Sequence, residues 1–359
     1  MSSKSSIKNL LHLSIPIFFA NLAIPLVAIV DTGLMGNLDD ASYLTATSIA
    51  SSLFSMIFWS FGFLRMGTVG MVAKAHGSNQ YNEIVDLVIR NITFVIVISL
   101  LLIFLQHFIF NLGLQIFDLS NDTEKYFKDY FDIRIYSSFG ELTIYVITGL
   151  FIGLQKTKTS SVVVGFFAVT NIIFSLFFVL YFNLNVTGVA LGTLVSSTLT
   201  SFIFLIYTFS ELKKLTNINF DIKKIFNVKK IQNIFNMNFN IFIRTVLLTF
   251  SFLFFTYLGN TISEDVVAAN TILINLVFLS AFILDAYAFS TEGIVGYSIG
   301  SKNITLLRDV IKNSFMLSAS TGLLISLLYF FGKNHFISLM TDLPNIKTIS
   351  LSYSYWVVI

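Results

Sequence analysis

The sequence predicts an all-α membrane protein: a polytopic helical bundle of two pseudo-repeated six-helix lobes, the second of them truncated. Three observations carry that expectation. Apolar residues make up 55% of the 359 and charged residues 11%, against about 25% charged in a soluble domain, so the chain lacks the polar shell that water requires. Long apolar runs recur along the whole chain, and a bilayer admits only helices or closed barrels; these runs are too long for barrel strands. The chain also repeats itself at a fixed offset of 223 residues.

The first run, residues 10–36, follows Lys4 and Lys8 and is far longer than a signal-peptide core, so it reads as an uncleaved spanning helix. At 1.5 Å per residue it measures about 40 Å, enough to cross about 30 Å of hydrocarbon with tilt. Pro16 and Pro25 lie inside it and predict a bend, since a mid-helix proline removes one hydrogen bond and clashes a turn back. Further runs follow at 42–73, 85–113, 127–154, 159–182, 186–210, 232–259, 266–298, 306–332 and from about 346. That is nine helices and the start of a tenth.

Lysine and arginine orient them. With the N-terminus in the cytoplasm, alternate connections carry Lys74 and Arg90; Lys156 and Lys158; Lys213, Lys214, Lys223, Lys224, Lys229 and Lys230; and Lys302, Arg308 and Lys312. Fifteen of the 22 basic residues then fall on one side. The opposite connections are acidic or neutral, with Asp39, Asp40, Asp118, Asp122 and Asp265 among them.

The repeat aligns "TVGMVAKAHGS" (68–78) with "TEGIVGYSIGS" (291–301) without gaps; Gly70/Gly293, Gly77/Gly300 and Ser78/Ser301 are among the identities. The same offset pairs Ala46 with Ala269 and Asp86 with Asp309, and lays helix 2 on helix 8. An even number of helices per repeat inserts both copies the same way up, a transporter arrangement. The expected lobes are 1–211 (helices 1–6) and 232–359 (helices 7–9 and the start of 10), joined by a basic cytoplasmic linker at 212–231. Two full copies would need roughly 445 residues, so the second lobe is expected to be truncated.

The charges expected inside the bundle are Asp31, Arg65, Glu141, Arg244, Asp285 and Glu292. Each costs at least about 2.5–3.5 kcal/mol at a helix centre, so such groups face a cavity or one another. Asp31 reads either as an interfacial carboxylate, since it stands five residues before Gly36, or as a cavity group that loads and releases a proton or Na⁺. Arg65 and Arg244 read as snorkelling or paired side chains. Asp285 and Glu292, seven apart, share one helix face and line a cavity or join a network, and Glu141 carries the same two readings. No cysteine is present, the four histidines lack metal-ligand spacing, and no P-loop, HExxH or dinucleotide motif occurs. No cofactor, no metal, no enzymatic activity and no nucleic-acid partner are expected; a monomer in the bilayer is.

With those residues in view, the chain resembles the multidrug and toxic compound extrusion (MATE) family in its DNA-damage-inducible (DinF) branch. The resemblance rests on "VDTGLMGNL" (30–38), "FGFLRMGTVGMVAKAHG" (61–77), the stretch from "GLFIGLQKTKTSS" (149–161) to "VALGTLVS" (189–196), and "ILDAYAFSTEGIVGYSIG" (283–300). It implies two lobes in a V and antiport at the plasma membrane, in which inward H⁺ or Na⁺ drives export of small amphipathic, often cationic drugs. Asp31 matches the family's helix-1 carboxylate, Asn171 its helix-5 asparagine and Thr193 a helix-6 threonine. Ser175 stands where many members carry Asp or Asn, which favours H⁺ over Na⁺. The alternatives are a lipid-linked precursor flippase, whose cavity would hold many basic groups, and a membrane fragment without transport.

Overall fold

The computed structural model describes residues 3–38, 41–117, 119, 121–216, 225, 227–341 and 343–358. Asp39, Asp40, Asp118, Lys223 and Lys224 lie outside them. Among the described residues the secondary structure is helical throughout, and nine segments are long and apolar enough to cross a bilayer.

The first lobe contains α1 (Ser3–Gly36), α2 (Ala41–Ser60), α3 (Phe63–Gly77), α4 (Tyr81–Phe104), α5 (Gln106–Phe117), α6 (Asn121–Arg134), α7 (Ser138–Gly153), α8 (Thr157–Leu176) and α9 (Asn185–Leu215). The second contains α10 (Val228–Asn260), α11 (Glu264–Gly300), α12 (Ile304–Met340), α13 (Pro344–Tyr353) and α14 (Tyr355–Val358). Helix α1 runs unbroken through Pro16 and Pro25. The second span is split: Phe61 N–H donates to Phe58 O at 3.0 Å and Gly62 N–H to Trp59 O at 2.9 Å, a tight turn that separates α2 from α3. The third apolar run likewise breaks at Leu105, between α4 and α5.

Aromatic packing fills the first lobe. Phe54 meets Phe131 at 5.2 Å between ring centroids, and Phe110 meets Phe127 at 5.6 Å. Large apolar side chains such as Phe104 and Phe331 stand 82% and 80% exposed, which lipid tolerates and water would not.

The repeat has a physical counterpart at the lobe interface. Helices α3 and α11 cross so closely that a Cβ on Gly77 would press into the Tyr297 carbonyl and come within 3.0 Å of Ser301 N. A Cβ on Gly300 would press into the Lys74 carbonyl and come within 3.0 Å of Ser78 N. Lys74/Tyr297 and Ser78/Ser301 are themselves related by the 223-residue offset, so the contact is reciprocal, as at a twofold axis. Ala73 and Gly296, also equivalents, touch across that axis.

The two helix ends repeat as well. Gln80 N–H donates to Ala75 O at 2.8 Å and Asn303 N–H to Ser298 O at 2.9 Å. Each closes over a left-handed residue, Asn79 at φ 58° and Lys302 at φ 54°. Helix α1 lies against both lobes: Ile17 joins Val69, Ile152, Ala286 and Phe289, while Leu10 joins Ile294 and Val310.

Candidate functional site

Helix α1 packs along α8, and α8 against α9. Asn171 and Ser175 are one turn apart on α8, and both side chains are fully buried at 0% exposure. Glycine at 192 on α9 permits the approach, because a Cβ there would fall 2.6 Å from Ser175 Oγ and 2.7 Å from its backbone nitrogen. Asn171 Nδ2 donates to Thr193 Oγ1 at 2.9 Å and to Ser196 Oγ at 3.4 Å. Its donor end is thereby spent, and Asn171 Oδ1 is left enclosed with no donor.

Asp31, half-buried on α1, faces the Ser175 hydroxyl and lies within the field of Arg134. Asp31 Oδ1 and Ser175 Oγ are likewise enclosed and complete no hydrogen bond of good geometry. Each orphaned buried acceptor costs about 1–3 kcal/mol. A carboxylate and an amide oxygen enclosed with only the Ser175 hydroxyl to donate are chemically suited to take up a proton or a small cation. The structure thus brings together the four residues Asp31, Asn171, Ser175 and Thr193, with Asp31 Oδ1 enclosed.

Behind this group lies a network that the sequence reading missed. Arg134, at the end of α6, pairs with Glu141 on α7 and with Ser137 in the 3₁₀ turn Ile135–Ser137 between them. Ser137 Oγ also donates to Glu141 Oε1 at 2.9 Å. The guanidinium lies 5.3 Å from the Phe54 ring centroid and 5.2 Å from that of Phe58, a cation–π setting. Of its two expected roles, Glu141 therefore takes the network. The signal was available: Arg134 precedes Glu141 by seven residues, the spacing already read for Asp285 and Glu292.

A second charged group sits between the lobes. Arg65 on α3 does not snorkel; its guanidinium stacks on Phe289 of α11 with 3.9 Å to the ring centroid. Asp285, Glu292 and Tyr145 interact with it electrostatically. Arg244, exposed on α10, acts on Asp285 alone of these. Among the described residues no ion pair within 4.0 Å includes Arg65, Arg244, Asp285 or Glu292.

Comparison with known proteins places this architecture. The MatE family model matches residues 16–177 and 241–359. DNA damage-inducible protein F of Escherichia coli is 28% identical over 355 residues, covering 99% of this chain and 77% of the relative. A MOP superfamily transporter from Pyrococcus furiosus superposes with a TM-score of 0.87 at 16% identity, over 98% of this chain and 78% of its own. A mutant of the Vibrio cholerae MATE transporter VcmN superposes with a TM-score of 0.86 at 18% identity, over 98% and 80%. At those identities the two structures speak for the fold.

Proposed function

The chain belongs to the MatE family and is a membrane transporter, and from that premise we propose that it is a secondary active multidrug efflux antiporter. It exports small amphipathic or cationic compounds in exchange for H⁺, with Na⁺ as the second choice. In this reading the lobes are 1–211 and 232–359, the basic loops face the cytoplasm, and the protein works as a monomer in the plasma membrane.

The observation that carries the proposal is the pair of enclosed acceptor oxygens, Asp31 Oδ1 and Asn171 Oδ1, with the Ser175 hydroxyl as the nearest donor to the carboxylate. Protonation supplies the missing donor and removes a charge whose desolvation opposes close packing of α1 on α8. The carboxylate therefore biases which way α1 lies, and α1 touches both lobes. Pro16 and Pro25 leave the carbonyls of His12 and Asn21 without their usual helical donors, which loosens α1 at two points along its length. Binding on one side and release on the other then couples the ion to the drug. Ser175 in place of a second carboxylate leaves one charge fewer for Na⁺, which is why H⁺ is preferred.

The test is Asp31→Asn in proteoliposomes, with ethidium efflux followed under an imposed pH or Na⁺ gradient. Gradient-driven export should vanish while the protein still inserts. Export at the wild-type rate would end the assignment.

A further inference from the structure

Helix α11 presents Asp285, Phe289 and Glu292 at positions i, i+4 and i+7, one continuous face with an aromatic ring between two carboxylates. Phe289 is buried in the seam between the lobes. Arg65 stands over its ring at 3.9 Å, yet neither carboxylate comes within ion-pair distance and the Arg65 Nε is enclosed without an acceptor. The Arg65 guanidinium is therefore held by a π face, with two carboxyl groups nearby, and without the bidentate contacts that mark a structural arginine pair.

The height of this stack matters. Arg65 lies twelve residues above Gly77 and Phe289 eleven above Gly300, about 17 Å along each helix, close to the middle of a hydrocarbon layer about 30 Å thick. Phe289 is the repeat equivalent of Met66, the neighbour of Arg65, so the stack also lies beside the pseudo-twofold axis. The midplane at a repeat interface is where transporters of this construction place their substrates. An aromatic face flanked by carboxylates is the chemistry that recognises a lipophilic organic cation.

We propose that Asp285, Phe289 and Glu292 form a binding site for a lipophilic organic cation, and that Arg65 occupies it as a tethered substitute while α3 and α11 are crossed. When the lobes part, α3 carries Arg65 away and the stripe is free for the exported cation. When they close again, the guanidinium returns and displaces it. Tyr145 on α7 bounds the site from the first lobe, and Arg244 tempers Asp285 from α10. This deepens the antiport reading and rests on it.

The experiment is equilibrium binding of tetraphenylphosphonium to the full chain in nanodiscs with no gradient, with tetraphenylborate as an anionic probe of the same shape. Arg65→Gln should tighten tetraphenylphosphonium binding at least tenfold and weaken tetraphenylborate. Arg65→Lys, which keeps the charge, should stay near wild type. Asp285→Asn and Glu292→Gln should each weaken the cation about tenfold, and Glu292→Gln should cancel much of the gain in an Arg65→Gln background. Unfolding midpoints confirm that each variant is folded. Equal shifts for both probes, or unmoved cation affinities in chains that do bind it, overturn the proposed site and leave the antiport reading standing. If neither wild type nor Arg65→Gln binds the cation, the site and the cation-export reading both fall.

Discussion

Replacing Gly77 by alanine tests whether the two helices meet as closely as the structure holds. The added Cβ would lie 2.9 Å from the Tyr297 carbonyl carbon and closer still to its oxygen, where ordinary contact begins near 3.4 Å. Both obstacles are backbone, so no rotamer change relieves them, and α3 and α11 must separate. Overpacking of this kind costs about 1–3 kcal/mol, while the helix propensity that alanine adds is common to the crossed and parted states and cancels. A net cost of about 2 kcal/mol on the crossed state moves a two-state equilibrium about thirtyfold toward the parted one. The chain has no cysteine, so spin labels can be attached through cysteines placed at Gln80 and Asn303, repeat-equivalent residues in the exposed turns after α3 and α11. Pulsed electron–electron distances should lengthen in Gly77→Ala and in Gly300→Ala. The double variant should show less than the sum, because the two sites share one contact. Gly70→Ala is the control: a Cβ there meets nothing within 4 Å. An unchanged distance distribution in Gly77→Ala would refute the close crossing.

Three further outcomes are expected. Arg134→Gln leaves Glu141 buried without its partner and should cost about 3–5 kcal/mol, read as a fall in the unfolding midpoint, whereas Arg134→Met with Glu141→Leu should recover most of it. Gly192→Ala drives a methyl into Ser175 and should cut proton-driven ethidium efflux at least tenfold without altering any charge; wild-type efflux would show that α8 and α9 need not approach there. Lys302 holds a left-handed conformation that costs a lysine roughly 1 kcal/mol, so Lys302→Asn should raise the unfolding midpoint and Asn79→Lys should lower it.

The spans could be read from sequence because lipid leaves the backbone no alternative: an apolar run of that length must be helical whatever packs beside it. The predicted runs at 186–210 and 232–259 fall inside α9 and α10 for that reason. Breaks within spans were not legible. The turn at Phe61–Gly62 interrupts an unbroken apolar run, and only the packing of α3 on α7 and α11 shows its use. Arg134 lies inside the predicted run 127–154 but near its start, where Asp129 and Asp132 are charged as well, so the sequence did not single it out; the fold turns Arg134 inward and leaves the side chain of Asp132 in the open. The partnership of Arg65 with Phe289 spans more than 200 residues of chain, a separation that only a fold can close.

Identity between the two copies is informative because of where it survives. A residue on a twofold axis meets its own equivalent or that residue's neighbours, so both copies are bound by one steric condition. Gly77 and Gly300 are identical under that condition, and Ala73 with Gly296 are both small. Where the two backbones no longer touch, the condition lapses. The equivalent of Asp31 is Phe254, that of Arg90 is Asn313, and Gly62, Met66 and Val69 stand where the second copy has Asp285, Phe289 and Glu292. The two lobes thus share a hinge surface and differ in charge. One carries Asp31 among polar hydroxyls and an amide with the Arg134–Glu141 pair behind it, the other two carboxyl groups beside an aromatic ring. A small inorganic ion suits the first set and a large organic cation the second, so a transporter built on this pair has a physical reason to keep ion and drug in different lobes. Asp31→Asn should accordingly leave tetraphenylphosphonium affinity in the absence of a gradient within about twofold of wild type, less than the tenfold that 1.4 kcal/mol represents. A tenfold loss there would place both ligands in one lobe and undo the division.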